Sequence, residues 1–300
     1  MPELPEVETV RRGLEPVLVG ARLSRVVQRR PNLRFPFPKN FTKTLKGQRI
    51  EALNRRAKYL VAELSNDLSL VMHLGMSGRF TIKPAPKSAK TPGSKHTPGT
   101  FVHASGANPK HDHVVFETSC GASVTYNDPR RFGFMLLIPN TEREDHKLFC
   151  NLGVEPLGNQ LSPDYLAERA VGKKVDLKAF LMDQRNVAGL GNIYVAEALF
   201  RAGLNPNRQA ATLATKSGKP TARAEKLVPA IRNVLDDAIA VGGSSLRDYR
   251  QADGALGYFQ HTFSVYGKDG EPCQRDGCNG KVRKVTQAGR STFYCAKCQK

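Results

Sequence analysis

The residues best placed to do chemistry in this 300-residue sequence lie at its two ends. Cys273 and Cys278 have four residues between them, Cys295 and Cys298 have two, and sixteen separate the pairs. Two close pairs flanking such a spacer can offer four thiolates to one tetrahedral Zn2+ at the tip of a β-hairpin. Two disulfides or unrelated thiols are the alternatives, and a reducing compartment argues against the first. The expected Zn2+, one per chain, is structural, because four thiolates leave no position open to water or substrate. Arg275, Lys281, Arg283, Lys284, Arg290, Lys297 and Lys300 keep this tail cationic, and Phe293 adds an aromatic ring. Such a hairpin suits nucleic acid, although zinc ribbons also hold proteins.

The opposite end reads Met1-Pro2-Glu3-Leu4-Pro5-Glu6. Removal of Met1, expected before so small a residue, exposes the secondary amine of Pro2. An α-amino group titrates near ~8, so a useful fraction is unprotonated at neutral pH. Such an amine can attack the anomeric carbon of a sugar, and the iminium it leaves is an electron sink that permits elimination of flanking phosphates. Glu3 could protonate the sugar ring oxygen. The plainer reading makes Pro2 a helix start, with Glu3 and Glu6 favouring the helix dipole. These residues alone favour the plainer one.

Lys and Arg number 46 against 27 Asp and Glu, and the resulting +19 implies a polyanionic partner. An anionic membrane is disfavoured: no apolar run is long enough to span one, and no basic amphipathic helix or lipidation signal is present. The N-terminus lacks a signal-peptide layout, so a cytoplasmic location is expected. Cys120 and Cys150 stand alone and read as packed thiols.

The elements that must carry these residues fall into blocks. Residues 5–14 read as a helix, with Val7, Val10 and Leu14 on one face. From about 22 to 138, short turns and alternation predict strands at 58–64, 68–74, 79–82, 113–117, 122–126 and 134–138, hence an antiparallel sandwich or barrel. Residues 84–110 hold too few large apolar side chains to pack and read as a long, mobile, basic loop. After 139 the period becomes helical. Ile193, Ala196, Leu199 and Phe200 form one stripe, closed by Gly203 and Pro206; Leu227, Ile231, Val234, Leu235, Ala238 and Ile239 form a stronger one, closed by Gly242 and Gly243.

Five segments, read with the cysteine tail, resemble the formamidopyrimidine-DNA glycosylase family closely. They are the opening Pro2-Glu3-Leu4-Pro5-Glu6, Arg55-Arg56-Ala57-Lys58-Tyr59-Leu60, Met72-His73-Leu74-Gly75-Met76-Ser77-Gly78, Asp128-Pro129-Arg130-Arg131-Phe132-Gly133 and Gly189-Leu190-Gly191-Asn192-Ile193-Tyr194. The tail contributes Gly289-Arg290-Ser291-Thr292-Phe293-Tyr294-Cys295. The resemblance implies an α+β multidomain fold: an N-terminal antiparallel β-sandwich with a leading helix (1–140), a helix–two-turn–helix domain (141–243), a base-closing loop and connector (244–268), and a zinc-finger β-hairpin (269–300).

It also implies a function. A monomer would bind damaged double-stranded DNA in a basic cleft, remove oxidised purines such as 8-oxoguanine and formamidopyrimidines, and cut the abasic site by β- and δ-elimination. Pro2 would be the nucleophile, Glu3 the acid, and Lys58 a contact to a phosphate beside the lesion. Glu6 matches a carboxylate of the same pocket. Met76, Arg130 and Phe132 would enter the gap left when the damaged nucleotide turns out, restoring stacking and satisfying the orphaned base. His73, Asn192 and Arg290 would contact DNA, and the loop at 247–258 would close over the flipped base. Without the resemblance the readings are ordinary: Lys58 a solvated charge, Met76 and Phe132 core, Arg130 surface, and Asn192 a helix cap with free N–H groups near it.

Two departures from the family stand out. The 84–110 segment is longer than its usual connection, and the four-residue gap between Cys273 and Cys278 exceeds the commoner two. Two rival readings are an endonuclease VIII-like enzyme for oxidised pyrimidines and a non-catalytic binder of damaged DNA. Leu4, and Met76 after His73-Leu74-Gly75, favour the purine branch; Pro2, Glu3 and Lys58 together argue against the binder.

Overall fold

A computed structural model describes residues 2–85, 108–244 and 259–300. Residues 86–107 of the basic segment and the expected base-closing loop at 247–258 lie outside the described residues. Two compact units result, one from Met1–Cys150 with Ile239–Gln260, the other from Asn151–Ala238 with His261–Lys300.

The first unit opens with α1 (Leu4–Leu18), which has Glu3 at its N-cap and Pro5 in its first turn. Pro is tolerated there because the first N–H groups of a helix have no intrahelical partner. The buried row Val7, Val10, Leu14 and Leu18 carries the helix past Pro16, four residues beyond the expected end at 14. Among the described residues, eight strands follow: β1 (Leu23–Gln28), β2 (Ile50–Arg56), β3 (Tyr59–Leu64), β4 (Leu68–His73), β5 (Arg79–Lys83), β6 (Asp112–Thr118), β7 (Ser123–Asn127) and β8 (Phe134–Pro139). A short helix, α2 (Phe41–Leu45), lies between β1 and β2 in the chain. The strands form two four-stranded antiparallel sheets, ordered β1-β6-β7-β5 and β2-β3-β4-β8.

The cross-strand pairs Leu60–Met72 and Ala62–Leu70 place four side chains on one face of β3 and β4. That face shares one core with Val26 and Phe116 of the other sheet and with Val7, Val10 and Leu14 of α1. Each large side chain buried there contributes about 1.5–3 kcal/mol. The six expected strands are all present. The two that were not singled out, β1 and β2, are both edge strands, where exposed positions carry charge that dilutes the apolar pattern. The end of the basic segment is ordered as a 3-10 turn, Pro109–His111, capped by Asn108. Cys120 and Cys150, expected to be packed, are exposed.

The second unit contains α3 (Pro163–Ala170), α4 (Leu177–Met182), α5 (Asn192–Ala202) and α6 (Ala222–Ala240) up to Ala238. Of these, α3 and α4 are too short to show a period; their caps, Ser162 and Asp176, were the readable signal. Gly203, with φ of 70°, closes α5 in the left-handed conformation that glycine adopts without strain. A hairpin of β9 (Val282–Gln287) and β10 (Arg290–Cys295) ends the chain. Buried Glu197 on α5 accepts the backbone N–H groups of Ser264, Val265 and Tyr266 at 2.8–3.0 Å, fastening the segment that leads into that hairpin.

Candidate functional site

In the first unit, Pro2, Glu3 and Glu6 are all buried at the start of α1. Oε2 of Glu6 accepts the Glu3 N–H at 2.8 Å; Oε1 accepts the N–H of Ser244 at 2.8 Å and its hydroxyl at 3.0 Å. Further along the same helix, Glu8 accepts from Arg55 Nε at 3.1 Å, and Arg55 also donates to the carbonyl of Ala57 at 3.1 Å. Ala57, with φ of 51°, and Lys58 form the tight turn between β2 and β3. The turn bearing Lys58 is therefore tied through Arg55 and Glu8 to α1. Lys58 is also buried, contrary to the reading of a solvated charge.

His73 closes β4 opposite Tyr59 of β3 and Phe134 of β8. Its ring stacks on Phe134 at 5.2 Å and meets Tyr59 at 5.3 Å. Burial, with Lys58 and Arg34 adding positive charge, lowers its pKa to about 4. The imidazole is thus neutral at physiological pH. Nδ1 accepts the N–H of Gly75 at 3.0 Å, which leaves Nε2 to carry the proton as a donor.

Met76 sits half-buried in the turn after β4. Arg130 and Phe132 lie in the turn before β8, both exposed, with the guanidinium 5.0 Å from the centre of the phenyl ring. Phe132 is 43% exposed, which removes the core reading for this residue. A large apolar ring held in water beside an arginine suits contact with stacked bases.

In the second unit the N-cap of α5 is Gly191, and Asn192 is its first helical residue. The expectation that Asn192 caps the helix is corrected: its side-chain amide instead donates to the carbonyl of Ser291 on β10 at 3.0 Å. Its Oδ1 is buried without a hydrogen-bond partner. Lys178, a residue the sequence reading passed over, converges on the same strand. It is 2% exposed and donates to Ser291 O at 3.1 Å and Thr292 Oγ1 at 2.5 Å. Burial lowers its pKa to about 8; Asp176 opposes that shift and Arg290 adds to it. A lysine inside the apolar run Leu177-Lys178-Ala179-Phe180-Leu181-Met182 was the signal that could have found it. Arg290 begins β10 and is exposed.

The four tail cysteines converge, with all four Sγ atoms within 4.8 Å of one another. Cys273–Cys298 and Cys278–Cys295 are separated by 3.7 and 3.8 Å. Disulfides require about 2.05 Å. A tetrahedron with Zn–S bonds of about 2.3 Å has edges near ~3.8 Å, so the donor set fits one zinc ion. Burial, followed by the neighbouring thiols, pushes the Cys298 thiol up to about 12. A dication at the centre supplies the charge that keeps all four sulfurs as thiolates.

Two features of the tail differ from expectation. Phe293 is buried against Tyr266, ring centres 5.1 Å apart, so it builds the hairpin's core and offers no exposed ring. Arg275 lies over Phe200 and bonds its carbonyl, so it braces the module from within. Lys281, Arg283, Lys284, Arg290 and Lys297 remain exposed or half-buried and keep the surface cationic.

Comparison with known proteins gives three consecutive family matches. They are the formamidopyrimidine-DNA glycosylase N-terminal domain over residues 1–135, the H2TH domain of the same enzyme over 152–250, and the zinc finger found in FPG and IleRS over 270–300. Formamidopyrimidine-DNA glycosylases of Chelativorans sp. (strain BNC1) and Beijerinckia indica are each 59% identical to this chain, covering 100% of both sequences in each case. The crystal structure of MutM (Fpg) from Thermus thermophilus matches with a TM-score of 0.79 at 37% identity, covering 99% of this chain and 98% of that one. A Lactococcus lactis Fpg mutant in complex with Fapy-dG-containing DNA matches with a TM-score of 0.80 at 33% identity over 100% of both chains. No helix among the described residues is long and apolar enough to cross a membrane. This chain belongs to the formamidopyrimidine-DNA glycosylase family.

Proposed function

We propose that this protein excises oxidised purines, formamidopyrimidines and 8-oxoguanine among them, from damaged duplex DNA and then cleaves the abasic site as a lyase. It acts as a monomer in the cytoplasm, with its catalytic sandwich at 1–140, its helix–two-turn–helix domain at 141–243, a connector at 244–268 and its zinc finger at 269–300. The observation that carries this reading is the buried Pro2-Glu3 start of α1, held by Glu6 and tied through Glu8 and Arg55 to the turn bearing Lys58.

Once Met1 is removed, the Pro2 amine attacks C1′ of the damaged nucleoside while Glu3 protonates the sugar ring oxygen. The C1′–base bond breaks with its electron pair, the departing base takes up the proton that the Pro2 nitrogen loses, and the ring-opened sugar becomes an iminium on Pro2. Loss of a C2′ proton into that electron sink expels the 3′-phosphate, and a second elimination expels the 5′-phosphate. Lys58 neutralises a phosphate beside the lesion. His73 donates through Nε2–H, while Asn192 and Arg290 hold backbone phosphates. Met76, Arg130 and Phe132 fill the gap in the stack. The zinc ion keeps the hairpin bearing Arg290 folded.

The test is borohydride reduction during turnover on defined duplexes carrying 8-oxoguanine, a formamidopyrimidine or an oxidised pyrimidine. The expected result is a stable protein–DNA adduct that maps to Pro2 and forms faster on the purine lesions. An adduct on any other residue overturns the nucleophile, and faster processing of the pyrimidine overturns the substrate class. A chain made to retain Met1 should give no adduct, because an amide lone pair is delocalised.

A further inference from the structure

The turn bearing Met76 follows β4, the turn bearing Arg130 and Phe132 precedes β8, and one buried carboxylate joins them. Asp128 is 0% exposed. Its Oδ1 accepts the Ser77 hydroxyl at 2.6 Å, and its Oδ2 accepts the Gly133 N–H at 2.9 Å and the Tyr126 hydroxyl at 3.2 Å. Ser77 Oγ in turn accepts the backbone N–H of Arg130 at 3.1 Å. The Asp128 carbonyl takes a further hydrogen bond from His113 Nε2 at 2.9 Å. The backbones themselves touch: a Cβ on Gly75, whose φ is +62°, would overlap Phe132 and Gly133. The Tyr126 hydroxyl leaves no room for a Cβ on either Gly78 or Gly133.

We infer that Asp128 is a positioning residue for insertion into the duplex, locking Met76 to Arg130 and Phe132 through Ser77 so that the three side chains move into DNA as one unit. The inference rests on the function proposed above. Three separate side chains inserted one at a time would each lose rotamer and backbone freedom on binding. Turns already locked together have lost backbone freedom on folding. Three bonds of the lock end on a buried carboxylate, an acceptor that binds more strongly than a neutral one, and the fourth runs from the Arg130 N–H to the Ser77 hydroxyl. None of its members need reach the reacting sugar. Its loss should therefore spare the amine chemistry wherever no stack has to be opened.

An abasic site in single-stranded DNA supplies that condition, since no partner base is orphaned. The experiment measures borohydride trapping on an abasic site in duplex and in single-stranded DNA for the full-length chain, Ser77→Ala, Asp128→Asn and the double variant. Leu64→Ala, a core truncation in the same unit, serves as the control for general loss of stability. Ser77→Ala removes both the hydroxyl's bond to Asp128 and the acceptor of the Arg130 N–H, and should slow duplex trapping by at least roughly tenfold relative to single-strand trapping. Asp128→Asn should slow it further, and the double variant no more than Asp128→Asn alone, because both break one network. Leu64→Ala should leave the duplex-to-single-strand ratio at the wild-type value. Folded Ser77→Ala and Asp128→Asn proteins that keep that ratio would overturn the inference, as would a Leu64→Ala protein that shifts it equally. Absence of any adduct from the unmodified protein on either substrate would refute the proposed function itself, a distinct result.

Discussion

The Glu3 backbone N–H donates to Oε2 of Glu6 at 2.8 Å, and the other oxygen of Glu6 receives Ser244. One carboxylate therefore holds the start of the chain against residue 244 of the same unit. Both oxygens act only as acceptors in these bonds. Glu6→Gln turns an NH2 group toward one of these donors and breaks that bond in a buried site, at about 1–3 kcal/mol. The thermal midpoint should fall by several degrees, measured by calorimetry; an unchanged midpoint would refute this view of Glu6.

Glu3→Gln should separate the two activities. Base removal needs a proton on the sugar, so release of 8-oxoguanine should fall by two or more orders of magnitude, within the range typical of acid–base catalysis. Cleavage of a preformed abasic site should persist, because the glycosidic bond is already broken. Parallel gel assays on the two substrates check the split, and equal losses on both would remove Glu3 from the role of acid.

Replacing one ligand should empty the tail of metal. Cys295→Ser breaks the four-sulfur set, and the hairpin has too small a core to order itself without it. Metal analysis should find one zinc per wild-type chain and less than one per variant. DNA affinity should drop while the circular dichroism of the β-sandwich is retained. Zinc-free wild-type protein would contradict the reading of the tail.

Binding should weaken with salt, by about −0.9 in the slope of log affinity against log salt for each duplex phosphate neutralised. Lys58→Ala should reduce the magnitude of that slope by roughly one contact. Fluorescence anisotropy across a salt series provides the measurement. A slope near zero in the unmodified protein would detach the +19 charge from phosphate binding.

His73 should titrate at about 4, against an ordinary 6.5. Between those values the unfolded chain holds a proton that the folded chain lacks, so this group lowers stability as pH falls from about 6.5 toward 4. Above that window it contributes no pH dependence. The His73 Cε1–H resonance, assigned with His73→Gln, should show the low midpoint by NMR. A midpoint near 6.5 would mean the ring is more solvated than its stack with Phe134 implies.

Much of this protein was legible in one dimension because some of its physics is local. The cysteine spacing carries the chelate geometry, since each close pair needs only a short loop to reach one ion. The stripes of α5 and six of the eight sandwich strands are written at periods of 3.6 and 2, and the motifs around Pro2, Lys58, Met76, Arg130, Asn192 and Arg290 are contiguous segments. What the sequence did not disclose depends on where the chain returns to itself. Asp128 meets Ser77 across 51 positions, Lys178 meets Thr292 across 114, and Glu6 meets Ser244 across 238. The same distance in sequence hid that Lys58 is buried, that Asn192 bridges to β10 and does not cap its helix, and that Phe293 is spent on the core. No local period encodes such partners. Burial raises the cost of leaving a polar group unpaired, so tertiary packing, and nothing nearer in the chain, decides which distant group each of them must find.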